Sequence, residues 1–267
     1  MNDFIKLQHH STKVAGVISS NRFNKIGAIG FSVKIKIMPL NISPIGDEHD
    51  KDIAKAICYA VDNGAKVINM SFGKGFSAEK ELVLDAIKYA EKHEVLIVHS
   101  AGNNSYNIDF NPFFPNDIGY DGESVEISTN FINVGSTSRR LDSTFVSGFS
   151  NYGKQNVDLF APGEEIYTTA PGNKYVFDSG TSLAAPMVSG TAALIWLYYP
   201  NLSAKEVKQI IMNSGTAYDL EVLVPGKKGV KAHFSELSKS GKVLNVYNAM
   251  KLAKKISKRK KNASLSN

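Results

Sequence analysis

Ser179-Gly180-Thr181-Ser182-Leu183-Ala184-Ala185-Pro186 is the stretch that decides how this chain is read. A glycine-containing turn delivers a serine to the start of an apolar helix, expected over residues 184–198, with small residues early and Leu194, Trp196 and Leu197 later. The first turn of a helix exposes orphan backbone N–H groups and the positive end of the helix dipole. A short hydroxyl placed there lies beside a site suited to an oxyanion. Pro186 reads as a first-turn residue, where its missing N–H costs little. From these eight residues two readings stand: Ser182 as a nucleophile, or Ser182 as the plain cap of a buried helix.

Outward from this stretch, apolar runs alternate with amphipathic helices, the pattern of parallel strands joined by crossover helices. Residues 35–42, 66–72, 95–100, 131–135 and 157–160 read as strands, the first closed by turn chemistry at residues 43–46. A helix opening at Asp50 carries Ile53, Ile57, Ala60 and Val61 on one face and stops at Asn63-Gly64. Ser77 is expected to cap the next helix, with Leu82, Ala86, Ile87 and Ala90 turned inward. Ser203-Ala204-Lys205-Glu206 is a capping box, and a last helix is expected near residues 246–256. Residues 105–130, polar and aromatic, read as a surface excursion beside a cleft. The stretch from Asp219 to Lys242 is similar, with Pro225-Gly226 marking the turn of a hairpin.

The serine stretch and three further segments, in the same order, resemble the subtilisin-like serine peptidases (subtilases). His10-Ser11-Thr12-Lys13-Val14-Ala15-Gly16 is similar to the family's histidine motif, with His9 one position outside it. Val67-Ile68-Asn69-Met70-Ser71-Phe72-Gly73 resembles the strand that lines the substrate cleft, and Ser100-Ala101-Gly102-Asn103 the segment carrying an oxyanion asparagine. Phe149-Ser150-Asn151-Tyr152-Gly153 and Ala161-Pro162-Gly163 are family-like punctuation, and the resemblance reaches about residue 250. It implies an α/β fold of three layers, a parallel sheet flanked by helices. It also implies a serine endopeptidase that works through an acyl-enzyme on Ser182, with His10 as general base. Asn103 and the backbone N–H of Ser182 would receive the oxyanion. Ser71, Phe72 and Gly73, with Ser100, Ala101 and Gly102, would flank the primary specificity pocket and pair with an extended peptide.

Two departures from the family's pattern bear on activity. Ser11 and Lys13 replace a glycine and a second histidine; the lysine charge is expected to lower the basicity of His10. The aspartate that orients the histidine lies, in the family, on a strand well upstream, whereas here nine residues precede His10 and Asp3 is their one carboxylate. The expected sheet therefore lacks the strand between residues 35–42 and 66–72, which would leave unpaired edges. Two functional expectations follow: a peptidase represented here without its N-terminal portion, or a non-catalytic descendant that binds peptides in the former cleft.

Composition narrows the remainder. With 267 residues, 43% hydrophobic and 21% charged, the chain suits one globular domain, placed at residues 1–250, followed by a basic, disordered tail at 251–267. The tail holds seven of the basic residues; without it the net charge of +6 becomes about −1, so no nucleic-acid partner is expected. No apolar run reaches the ~18 residues of a membrane helix, and Met1 is followed by polar residues rather than a secretory leader. Cys58 is the sole cysteine, read as a buried, inert thiol. His9, His10, His49 and His93 show no metal-ligand spacing, so no metal site is assigned. No cofactor is required by the resemblance, and no loop can be named for the structural calcium common in the family. The Gly-Thr-Ser-Leu-Ala context also differs from the Gly-x-Ser-x-Gly elbow of α/β-hydrolases. The resemblance further implies a peptide or protein substrate, a monomer, and a secreted or cell-envelope setting.

Overall fold

The continuous apolar run Val95-Leu96-Ile97-Val98 shows how the layers arise. A strand sends alternate side chains to opposite faces. Leu96 and Val98 pack with the helices on one side, while Val95 and Ile97 pack with those on the other. Buried on both faces, such a strand belongs to a parallel sheet covered by helices. The computed structural model describes residues 3–32, 34–43, 48–119 and 125–265.

The elements run in this order: α1 (Asp3–Ser19), α2 (Asp50–Asp62), β1 (Val67–Met70), α3 (Lys80–Lys92), β2 (Leu96–Ser100), β3 (Phe131–Thr137), β4 (Leu159–Pro162), β5 (Ile166–Ala170), β6 (Lys174–Asp178), α4 (Thr181–Tyr198), α5 (Ala204–Ser214), β7 (Thr216–Ala217), β8 (Glu221–Leu223), β9 (Lys231–His233), β10 (Lys242–Val243) and α6 (Val246–Leu265). The main sheet has the order β1-β2-β3-β4-β10-β7, parallel except for the β10–β7 pair. Helices α2 and α3 cover one face through Ile53, Ile57, Leu84 and Ile87. Helices α4, α5 and α6 cover the other through Val188, Ile195, Ile210 and Ala253. This is the expected three-layer α/β arrangement.

Several local expectations are corrected. Residues 35–42 form no strand; among the described residues no ladder pairs with the outer edge of β1, and Ile37, Met38 and Leu40 stay exposed. An apolar run becomes a strand only when a neighbour satisfies its backbone. The turn expected at residues 43–46 falls largely outside the described residues. Helix α3 begins at Lys80 with Glu79 at its cap position, not at Ser77. Its first turn is served instead by the Asp50 carboxylate, which accepts from the Glu79 N–H at 2.9 Å. Leu82 consequently faces solvent, and Val83 and Leu84 are buried in its place.

The basic segment is not a disordered tail. Residues 251–265 continue α6, whose Ala249, Ala253 and Ser257 are buried against α5 and α4, while Lys260 pairs with Glu206 at 2.7 Å. The lysines that signalled a tail occupy the solvent face of an amphipathic helix. The capping box at Ser203 and Glu206 forms as expected, and β8–β9 is the expected hairpin. Helix α4 is 18 residues long and apolar enough by composition to cross a membrane, yet it lies across β1, β2, β3 and β4 as a core helix.

Candidate active site

Strands β1 and β2 are parallel neighbours, with Met70 opposite His99, so the chain leaves both strands side by side at the same end of the sheet. Ser71-Phe72-Gly73 follows β1, and Ala101-Gly102-Asn103 follows Ser100, the last residue of β2. Ligands of open parallel sheets gather at this carboxyl end. A cleft of about 850 Å³ opens there, bordered by both segments, by His10 and by Ser182.

Ser182 is the second residue of α4, whose N-cap is Gly180, so the plain capping role is excluded. The helix starts three residues earlier than expected, which places Pro186 beyond the first turn. Proline at this position cannot donate to the carbonyl four residues back, that of Ser182. The Ser71 hydroxyl donates to that carbonyl instead, at 2.8 Å. Ser71 in turn accepts from Asn69 Nδ2, and Asn69 Oδ1 accepts from Ser189, both at 2.8 Å. A relay of four polar residues thus fastens the serine turn to β1. It explains Asn69, the lone polar residue of an otherwise apolar strand.

Asn103 is held just as firmly. Its Oδ1 accepts from the Thr181 N–H and from the Thr181 hydroxyl, each at 2.9 Å, and that hydroxyl accepts from the Gly102 N–H at 3.2 Å. With the oxygen engaged, the amide's donor group Nδ2 is left for the cleft. A methyl placed on Gly180 would stand 3.5 Å from Asn103 Nδ2 and 3.7 Å from the Ser182 nitrogen. Both nitrogens therefore border one small volume beside Gly180. Gly102 itself has φ +101°, a left-handed conformation that glycine adopts without strain.

His10 lies on α1, which is bolted to β5. The Thr168 hydroxyl donates to the Lys13 carbonyl at 2.7 Å and the Thr169 hydroxyl to the Thr12 carbonyl at 2.8 Å. Gly16 permits this approach, since a methyl there would meet both threonine oxygens. Burial lowers the pKa of His10 below the usual histidine value; the Asp178 carboxylate works against this, and the Lys13 charge works with it. Lys13 and Asp178 pair with each other at 2.7 Å. Among the described residues no carboxylate is hydrogen-bonded to the His10 ring. Asp3 opens α1, and its side chain lies outside the described part of the structure.

Comparison with known proteins matches residues 3–242 to the Subtilase family of peptidases. The chain belongs to the subtilase family. It is 37% identical over 199 residues to the thermophilic serine proteinase of Bacillus sp. (strain AK1), covering 73% of this chain and 44% of that protein. It is 33% identical over 228 residues to the cell wall-associated protease of Bacillus subtilis (strain 168), covering 85% of this chain and 23% of that protein. The chain thus spans less than half the length of these relatives. A solved structure of the subtilase cytotoxin SubAB shares the fold, with a TM-score of 0.76 at 23% identity, covering 95% of this chain and 78% of that one.

Sequence reading passed over several residues that shape this subtilase cleft. His99, fully buried on β2, faces the Phe72 carbonyl through Nε2 at 2.9 Å. A carbonyl can only accept, so Nε2 carries the proton and the ring ties the β2 wall to the β1 wall. Burial pushes the pKa of His99 down to about 4, which keeps it neutral. Thr168 and Thr169 also escaped notice, and Thr181 was quoted without a role, because a threonine's sequence context gives no sign of which distant group it will meet. The hairpin β5–β6, which carries Thr168, Thr169 and Asp178, was likewise not anticipated. Among the described residues no three His, Cys, Asp or Glu side chains gather in a metal-binding cluster. Cys58 is half-buried on α2, and burial together with Asp62 raises its thiol pKa.

Proposed function

We propose that this chain carries the cleft of a serine endopeptidase that cleaves peptide or protein substrates through an acyl-enzyme on Ser182. The observation that carries the reading is that Asn103 Nδ2 and the Ser182 nitrogen border one volume beside Gly180, with both residues lining the cleft. Two donors fixed before the reaction stabilise a developing oxyanion without reorganising at the moment of attack. Ser182 Oγ attacks the peptide carbonyl, His10 takes its proton and returns it to the leaving amine, and water then releases the acyl group by the reverse steps. The lowered pKa of His10 keeps the imidazole neutral and able to accept a proton near pH 7. Ser71-Phe72-Gly73 and Ser100-Ala101-Gly102 present backbone to an extended peptide. Action outside the cell or at its envelope, as a monomer, completes the proposal; the setting agrees with the name of the cell wall-associated relative.

The test is covalent labelling of Ser182 by a peptidyl diphenyl phosphonate, read by intact mass and peptide mapping. Labelling that disappears in Ser182→Ala supports the reading; labelling that survives the substitution defeats it. One observation favours a second reading, a peptide-binding subtilase without turnover: among the described residues no carboxylate is hydrogen-bonded to His10. Peptide binding with no labelling at any pH selects that alternative.

A further inference from the structure

We infer that Phe113 closes the floor of the specificity pocket and restricts this subtilase to alanine-sized side chains at the residue whose carbonyl is attacked. This rests on the proposed function of the cleft and assigns its substrate class. The attacked carbonyl oxygen must occupy the volume between Asn103 Nδ2 and the Ser182 N–H. With the substrate backbone running along the two walls, the side chain of that residue enters between Gly73 and Gly102. That space is already filled. The edge of the Phe113 ring touches the position a methyl on Gly73 would take, and a methyl on Gly102, which would first meet Asn151 Nδ2, would stand 3.0 Å from both Cε1 and Cζ of the same ring. Phe113 lines the cleft, so the ring, not an open recess, meets the incoming side chain.

The backbone that carries the ring is fixed at two places, and a second ring packs beside it. Backbone bonds between Phe114 and Lys74, at 2.8 and 2.9 Å, fasten the segment to the chain leaving β1. Asn116 Nδ2 donates to the Phe113 carbonyl at 3.1 Å. The His99 ring stands behind it, with centroids 5.9 Å apart. Phe113 also lines a second cavity of about 110 Å³, bordered by Asp109, Asn116 and Asn133. Phe113 and Pro112 border both the cleft and this space. Removing the phenyl group should open the pocket into the cavity and admit leucine or phenylalanine.

The experiment titrates the full chain calorimetrically with acetylated tetra-alanine and its analogues ending in glycine, leucine or phenylalanine, all as free acids. These mimic the acyl product and need no reaction at Ser182. The alanine peptide is expected to bind about tenfold more tightly than the leucine and phenylalanine peptides, the discrimination a small change in pocket volume gives. Phe113→Ala should reverse the order, and Phe113→Val should fall between, with thermal melts reporting whether each variant folds. Equal or tighter binding of the phenylalanine peptide by the unaltered chain overturns the inference, a result that needs no variant. An unchanged order in a folded Phe113→Ala chain, or no binding by any peptide, overturns it too. Selective binding without phosphonate labelling of Ser182 would sustain the pocket and sink the proposed catalysis.

Discussion

The Ser71 hydroxyl donates to the Ser182 carbonyl at 2.8 Å and replaces the helical bond that Pro186 cannot make. The nucleophile's own carbonyl is therefore served from a neighbouring strand, not from its helix. Ser71 is buried, so truncating it leaves both that carbonyl and the Asn69 amide without their partner. Ser71→Ala should destabilise the fold by roughly 1–3 kcal/mol, the cost of an unsatisfied buried polar group. Urea denaturation measures this, and an unchanged midpoint would show that another donor reaches the carbonyl.

The oxyanion site gives a graded prediction. Asn103→Ala removes a donor from the wall of the cleft. Acylation of Ser182 should fall by ~10²–10³, the loss measured for such a donor in subtilisin, a member of this family. Thr181→Val leaves Nδ2 in place but deletes one of the two bonds to Oδ1 and the acceptor of the Gly102 N–H, so its effect should be smaller than that of Asn103→Ala. Labelling rates with one phosphonate decide between them. A Thr181→Val loss as large as that of Asn103→Ala would mean that Thr181 contributes more than orientation.

How far these arrangements could be read in advance depended on the range of the interactions involved. The capping box at Ser203 is a contact across three residues and was legible, as was the buried face of α2, set by helical period alone. The start of α3 was not, because its acceptor is Asp50 on another helix, 29 residues away in sequence. Residues 35–42 carry a strand's apolar content, yet pairing is a property of the neighbour and not of the run. At the site, Ser182, Asn103 and His10 were singled out through co-linear motifs, and all three border one cleft. The threonines that fix them act over 78 to 157 residues of sequence, where no local pattern points to the partner. Phe113 escaped for the same reason: its significance lies in two glycines contributed by two other segments.

The Lys13–Asp178 pair beside His10 predicts opposed pH shifts. Asp178 raises the His10 pKa and Lys13 lowers it, both on top of the lowering by burial. Asp178→Asn should therefore move the His10 titration to lower pH, and Lys13→Gln should move it to higher pH. Proton NMR of the imidazole reads this directly, independently of turnover. If acylation uses neutral His10, the acid limb of the Ser182 labelling rate should shift by the same amount in each variant. Shifts of one sign for both substitutions would show that the pair acts through packing and not through charge.

Asp117 predicts a stability that declines as the medium becomes more alkaline. It is buried, and burial pushes its pKa up to about 8; Lys208 works against the shift, Glu126 and Asp158 reinforce it, and Lys239 opposes it. Among the described residues its Oδ2 has no hydrogen-bond partner. In the unfolded chain the carboxyl titrates near the ordinary value of about 3.9. Between about pH 4 and pH 8 the folded state thus retains a proton that the unfolded state has released, and stability falls as pH rises through that window. Asp117→Asn keeps a neutral side chain of the same shape at every pH. Its advantage over the unaltered chain should be absent near pH 4 and grow to the order of 1 kcal/mol or more by pH 8, each pKa unit corresponding to about 1.4 kcal/mol. Denaturant midpoints taken across this range check the slope. A variant whose advantage is constant with pH, or greatest in acid, would mean that Asp117 is ionised in the fold and neutralised by Lys208.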